Sequence, residues 1–164
     1  MHDWQTRVDA VWRDANALGD DAVLERIAAL AAELPADDPR GPFELAGAYD
    51  SAGREAEAEP HYRRALESGL GGRQRVECLI QLASTLRNLG RPEESIALLD
   101  EAAREPHDLG DAVSAFRALA LTSAGRPDAA ASVALAVLAA HLPQYGRAVA
   151  AYAAELDSGD APSA

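Results

Sequence analysis

The residues best suited to metal or nucleophilic chemistry are four histidines, His2, His61, His107 and His141, and one cysteine, Cys78. A metal centre needs three or four such ligands converging on one point. His61 follows Glu57 by four residues, which puts both on one face of a helix. No third ligand lies near, so the pair reads as a solvated contact. His107 adjoins Asp108 between helices, where Asp108 serves better as a cap, and His141 falls in a last helical turn, where a cation suits the dipole. Cys78 stands beside Leu79 at an inner helix position with no histidine nearby, the pattern of a packed thiol. A lone cysteine also excludes an intramolecular disulfide and any cysteine cluster. Gly69-Leu70-Gly71-Gly72 is too short for a phosphate-cradling loop and lacks the strand that would precede one. No catalytic residue, metal ligand or cofactor is therefore expected, and the chain does not read as an enzyme.

Charge narrows what it would bind. The 164 residues carry 15 cationic side chains, all arginine, against 27 acidic ones, for a net charge of −12. Such a field repels phosphate backbones, so nucleic acid is not an expected partner. No apolar run approaches the ~18 residues a membrane helix requires, and the N-terminus lacks the apolar core of a signal peptide. A soluble, cytoplasmic protein is expected.

The elements that position side chains show in a repeat. Gly19, Gly53, Gly90 and Gly125 each follow an apolar-periodic segment and precede a charged residue, at intervals of 34, 37 and 35 residues. The longer interval accommodates the loop Ser68–Gly72. Upstream of each glycine runs a helical stripe, clearest in Leu79, Leu82, Ala83, Leu86 and Leu89. Downstream, a small residue five positions on is followed four later by a larger one, as in Ala58/Tyr62 and Ser95/Leu99, and Leu24/Ala28 holds the same places in the first unit. Pro92 and Pro127 suit first helical turns, and Asp38, Asp108 and Asp111 suit N-caps. The spacing predicts four helical hairpins over about 4–35, 39–70, 73–106 and 109–143 and a ninth helix over 144–156. In that helix Tyr145, Val149, Tyr152 and Leu156 share a face. Residues 1–156 form one domain and 157–164 a frayed tail.

This spacing resembles the tetratricopeptide repeat, and the chain is similar to the small stand-alone bacterial group-5 family of such proteins. The second repeat carries the resemblance best, in Leu45-Ala46, Tyr49, Gly53, Ala58, Tyr62 and Ala65-Leu66. The third follows in Leu82-Ala83, Leu86, Gly90, Ser95, Leu99 and Ala102. The resemblance implies an all-α fold, a right-handed α-α superhelix in which first helices line a concave groove and an extra C-terminal helix caps the last hairpin. It further implies a noncatalytic scaffold that binds a peptide or protein segment in the groove.

Alignment on the four glycines assigns the groove-facing positions. The first repeat supplies Asp9, Arg13 and Asn16; the second Phe43, Glu44, Gly47 and Asp50. The third supplies Glu77, Ile80, Gln81, Ser84, Arg87 and Asn88, and the fourth Ala115, Phe116, Leu119 and Thr122. Phe43, Ile80, Phe116 and Leu119 make the row amphipathic; they either meet a ligand or cover a neighbouring helix. Arg13 and Arg87 offer donors to a carboxylate or carbonyl, and Gly47 permits close backbone approach. An apolar, helical segment is the expected occupant. Family members that clamp carboxylate tails carry Lys and Asn at successive inner positions; here these read Asp9/Arg13, Phe43/Gly47 and Ile80/Ser84, so that clamp is missing. The eighth helix, from Ala129 to Ala140, is apolar all round and the ninth is alanine-rich. A homodimer through helices 8 and 9 is therefore expected, and a self-associating structural protein is the alternative function.

Overall fold

The computed structural model describes residues 3–157; Asp157, expected to open the tail, ends the last helix, and 158–164 lie outside the described residues. The described chain runs through α1 (Trp4–Arg13), α2 (Ala15–Leu18), α3 (Asp20–Ala31), α4 (Arg40–Ser51), α5 (Glu55–Glu67), α6 (Gly72–Asn88), α7 (Pro92–Ala102), α8 (Gly110–Ser123), α9 (Pro127–His141) and α10 (Gly146–Asp157). It contains no strand among the described residues. The helix α1 packs on α3, and from α3 onward each helix packs mainly on its neighbours in sequence, which makes a solenoid of four hairpins closed by α10. None of the described helices is long and apolar enough to cross a membrane.

The repeated glycines are explained by the turns. Gly53, Gly90 and Gly125 have φ of 68°, 78° and 74°, a conformation that side-chain-bearing residues adopt at a cost. In each turn the glycine N–H donates to the carbonyl three residues back, and the following arginine N–H donates to the carbonyl five back: Arg54 to Tyr49, Arg91 to Leu86 and Arg126 to Leu121, all at 2.9 Å. These are Schellman caps, which satisfy the carbonyls left open at a helix end. The arginine side chains then tie hairpins together. Arg91 reaches back to Glu59 at 2.8 Å and Arg126 to Glu93 at 2.7 Å, each bridging to the preceding second helix.

The first hairpin departs from this pattern. Its first helix breaks at Asp14, which separates α1 from α2. At the turn α3 starts immediately after Gly19, whereas α5, α7 and α9 start two residues after their glycines. The register of α3 is therefore shifted by one. Val23 and Ile27 are the buried pair, and Ala28, expected to pack, is exposed.

Three apolar clusters follow one another along the solenoid. The first joins α1, α3 and α4 through Val8, Val23, Ile27 and Ala48. The second joins α4, α5 and α6 through Phe43, Tyr62, Leu82 and Leu86. The third joins α6 to α9 through Leu79, Ile80, Leu99 and Leu121. Because α4 and α6 each contribute to two clusters, the core is continuous.

Some sequence expectations change. Asp108 does not cap α8: it pairs with Arg73, and the Leu109 N–H donates to His107 Nδ1 at 2.9 Å. Asp100 on α7 pairs with Arg117 on α8, an ion pair between helices that local spacing does not show. The helix α9 is buried only in part, since Leu138 is 49% exposed. On α10, Ala153 is buried with Val149 and Leu156 half-buried, while Tyr152 is exposed. Tyr145 precedes that helix and is also exposed, so the aromatic face is not the packed one.

Candidate functional site

The titratable candidates are used structurally. His61 stacks on Tyr49 at 5.4 Å between ring centroids, while Glu57 turns to Arg54 at 3.0 Å, so the two do not converge. His141 Nε2 and Asp111 lie 2.9 Å apart and connect α9 to α8. The buried thiol of Cys78 approaches the Tyr62 carbonyl at 3.6 Å, and burial pushes its pKa up to about 12. A thiol held protonated is a poor nucleophile.

The principal concavity lies on the inner side of α1, α4 and α6, a recess of about 600 Å³. Seven of the expected groove residues line it: Phe43, Glu44, Gly47 and Asp50 from α4, and Glu77, Gln81 and Asn88 from α6. Phe43 is only 7% exposed and presents little more than an edge; Ile80, equally buried, packs into the third cluster. Of the two roles the sequence leaves open to them, packing on neighbouring helices accounts for Ile80, while Phe43 packs and also lines the recess. Phe116 also packs against that cluster, and Leu119 lines a separate recess farther along. Arg13, Asn16, Ser84 and Arg87 do not line the recess; the guanidinium of Arg87 instead donates to the Asn88 side chain at 3.0 Å.

Four lining residues are not on the expected groove row: Trp12, Ser51, Glu55 and Tyr62. Trp12 had a legible signal. It stands seven residues before its turn glycine, where the other repeats have Ala46, Ala83 and Ala118. The extra volume is accommodated by Gly47 on the next first helix, where an added Cβ would lie 3.4 Å from the indole ring. Tyr62 belongs to a second helix, but its hydroxyl passes between α4 and α6 to donate to Gln81 Oε1 at 2.9 Å.

The electrostatics are set by carboxylates. Trp12 Nε1 donates to Glu44 Oε2 at 2.7 Å, and Glu44 is 8% exposed. The Thr85 hydroxyl donates to Asp50 at 3.1 Å, and Asn88 Nδ2 lies 3.4 Å from Glu55. Loss of hydration raises the pKa of Glu44 despite the indole donor, with Asp9 adding repulsion. Desolvation likewise raises Asp50. A carboxyl whose folded pKa exceeds its unfolded one binds its proton more tightly in the fold. Its stabilisation is thus fully present below the unfolded value and is lost as pH rises through the folded one. At neutral pH these carboxylates are a stability cost, not a gain.

The arrangement can hold a ligand by charge, by acceptors and by an aromatic wall. A family model described as Tetratrico peptide repeat matches residues 39–156, from the start of the second hairpin to the last helix. No curated protein and no solved structure matches the chain. The match covers well over half of the chain, which therefore belongs to the tetratricopeptide-repeat family, group 5.

Proposed function

We propose that this tetratricopeptide-repeat chain is a noncatalytic, cytoplasmic scaffold that binds a peptide or protein segment in the recess between α1, α4 and α6. The observation that carries this reading is the recess itself: consecutive first helices leave it open, and Trp12 occupies a position where the other repeats have alanine. A protein-interaction role is general in the family. The groove residues placed elsewhere, Arg13, Asn16, Ile80, Ser84, Arg87, Phe116 and Leu119, would then bound the site or support it rather than meet the ligand.

Charging Phe43 or Ile80 would test folding rather than binding, because both are buried. Gly47 is the better probe. A methionine there places its Cβ in ordinary contact with Trp12 and fills the recess with its side chain. Gly47→Met is expected to keep the helical circular dichroism while peptides selected on the wild-type protein from a random dodecapeptide library lose at least tenfold in affinity. Selected peptides that ignore this substitution would place binding elsewhere.

A second reading, self-association, is favoured by one feature. A recess of about 510 Å³ on α8 and α9 is lined by Ala115, Ala118, Leu119 and Ala134, with Leu119 and Leu138 both 49% exposed. These α8 positions correspond to Ile80, Ala83 and Ser84 on α6, where α8 itself packs; α10 lies along α9 and leaves them open. A second copy meeting that face through α9 and α10 would cover it. Sedimentation equilibrium at micromolar concentration should then give twice 17.2 kDa, and Leu138→Glu should return the monomer. A monomer throughout would end this reading.

A further inference from the structure

The recess lacks a charge that its surroundings call for. Among the described residues Glu44, Asp50 and Glu55 accept only neutral donors there: Trp12 and Gln5 on Glu44, Thr85 and Tyr62 on Asp50, and Asn88 on Glu55. Glu77, the fourth lining carboxylate, pairs with Arg73 at 2.9 Å. No arginine lines the recess, although arginines compensate carboxylates elsewhere, as Arg91 does for Glu59 and Arg40 for Asp38. Glu44 is the sharpest case: more than nine-tenths buried, lining the cavity, and without a cationic partner. A buried carboxylate left uncompensated is costly, and a cation supplied from outside would offset that cost.

We infer that the recess receives an arginine side chain of the bound segment, its guanidinium paired with Glu44 and Asp50 and laid against the Trp12 indole. This rests on the reading of the recess as the binding site and names the chemistry of its occupant. Three features favour a guanidinium. It is planar and presents several donors at once, matching carboxylates on α4 with the Gln81 amide opposite. It is more weakly hydrated than an ammonium, so entry into a half-buried site costs less. It stacks on an aromatic face, and Trp12 supplies one. The net charge of −12 would draw a basic segment toward the protein from a distance, while the recess would select where it docks.

The probe is a nine-residue acetylated, amidated peptide, SALARALAS, compared with the same peptide carrying citrulline, which keeps the shape and loses the charge. Binding is read at 150 mM salt from the indole N–H resonance of Trp12, with that of Trp4, which donates to the Leu30 carbonyl, as internal control. The arginine peptide should move the Trp12 signal to saturation and leave that of Trp4 in place. Citrulline should weaken binding at least tenfold on the wild-type protein, a comparison that requires no variant to fold. Glu44→Gln with Asp50→Asn should cost a similar factor, whereas Glu25→Gln with Glu67→Gln, exposed and remote from the recess, should change it less than twofold. Equal binding of both peptides would overturn the inference, as would equal losses in the two double variants, which would reveal only a diffuse field. If the arginine peptide fails while library-selected peptides without basic residues still bind and still respond to Gly47→Met, the guanidinium claim falls and the groove stands. If no peptide of either kind moves the Trp12 signal, both fall.

Discussion

Replacing Tyr62 with alanine is expected to remove about 3–5 kcal/mol of stability, the largest single-residue loss in the chain. Tyr62 is fully buried, its ring packs 6.5 Å from that of Phe43, and its hydroxyl donates to Gln81. The site also matters through connectivity. The second cluster, to which Tyr62 belongs, is the one between the clusters at the two ends. In a solenoid each hairpin is stabilised by its neighbours, so a cavity in the middle weakens the coupling between halves as well as one local contact. For a domain holding about 5–15 kcal/mol in all, that is a large fraction. Tyr62→Phe separates the two contributions: it keeps the ring and loses only the hydroxyl contacts, for about 0.5–1.5 kcal/mol. Urea unfolding followed by circular dichroism measures both. Tyr152→Ala, 64% exposed, is the comparison, with an expected change within about 0.5 kcal/mol. Equal midpoints for the variants at 62 and 152 would remove the central cluster from its assigned place.

The hairpins were readable because their determinants are local. The Schellman turns need a residue of positive φ at a fixed place, and the helical stripes need only the 3.6-residue period. What escaped depended on the geometry between elements. The one-residue shift in α3 comes from a turn shorter than the other three, which the spacing of the glycines does not record. Phe43 and Ile80 occupy inner positions by alignment, yet each is packed into an apolar cluster, Phe43 against the Tyr62 ring of α5 and Ile80 with residues of α7 to α9. Trp12 stands out in the sequence by its place in the repeat, but its role depends on Gly47, thirty-five residues on and on another helix. The acidic character of the recess was half visible. Glu44, Asp50 and Glu77 fell on the groove row, but so did Arg13 and Arg87, and only packing separates the two groups. Ion pairs show the same limit: Glu59 and Arg63, one helical turn apart, meet at 2.8 Å as local spacing allows, while Asp100 finds Arg117 on a different helix.

Gly146→Ala should detach α10 from the solenoid. A Cβ built at that position lies 2.5 Å from the Ala139 carbonyl oxygen, a backbone atom with no flexible end to move aside. The helix must shift, and among the described elements its packing is against α9. A cost of about 1–3 kcal/mol is expected, and it should stay local. Amide exchange would show it directly, with protection lost from Val149 to Leu156 and kept in α4 through α7. The residue before behaves oppositely. Tyr145 has φ of 66° without being glycine, and it is exposed, so its side chain adds strain and buries little. Tyr145→Gly should therefore leave α10 docked, and relief of backbone strain is opposed by the greater freedom of glycine in the unfolded chain. Adjacent substitutions, one adding a methyl group and one removing a whole ring, are thus predicted to differ in the direction opposite to size. Preserved exchange protection of α10 in Gly146→Ala would show that the contact with Ala139 does not fix the helix.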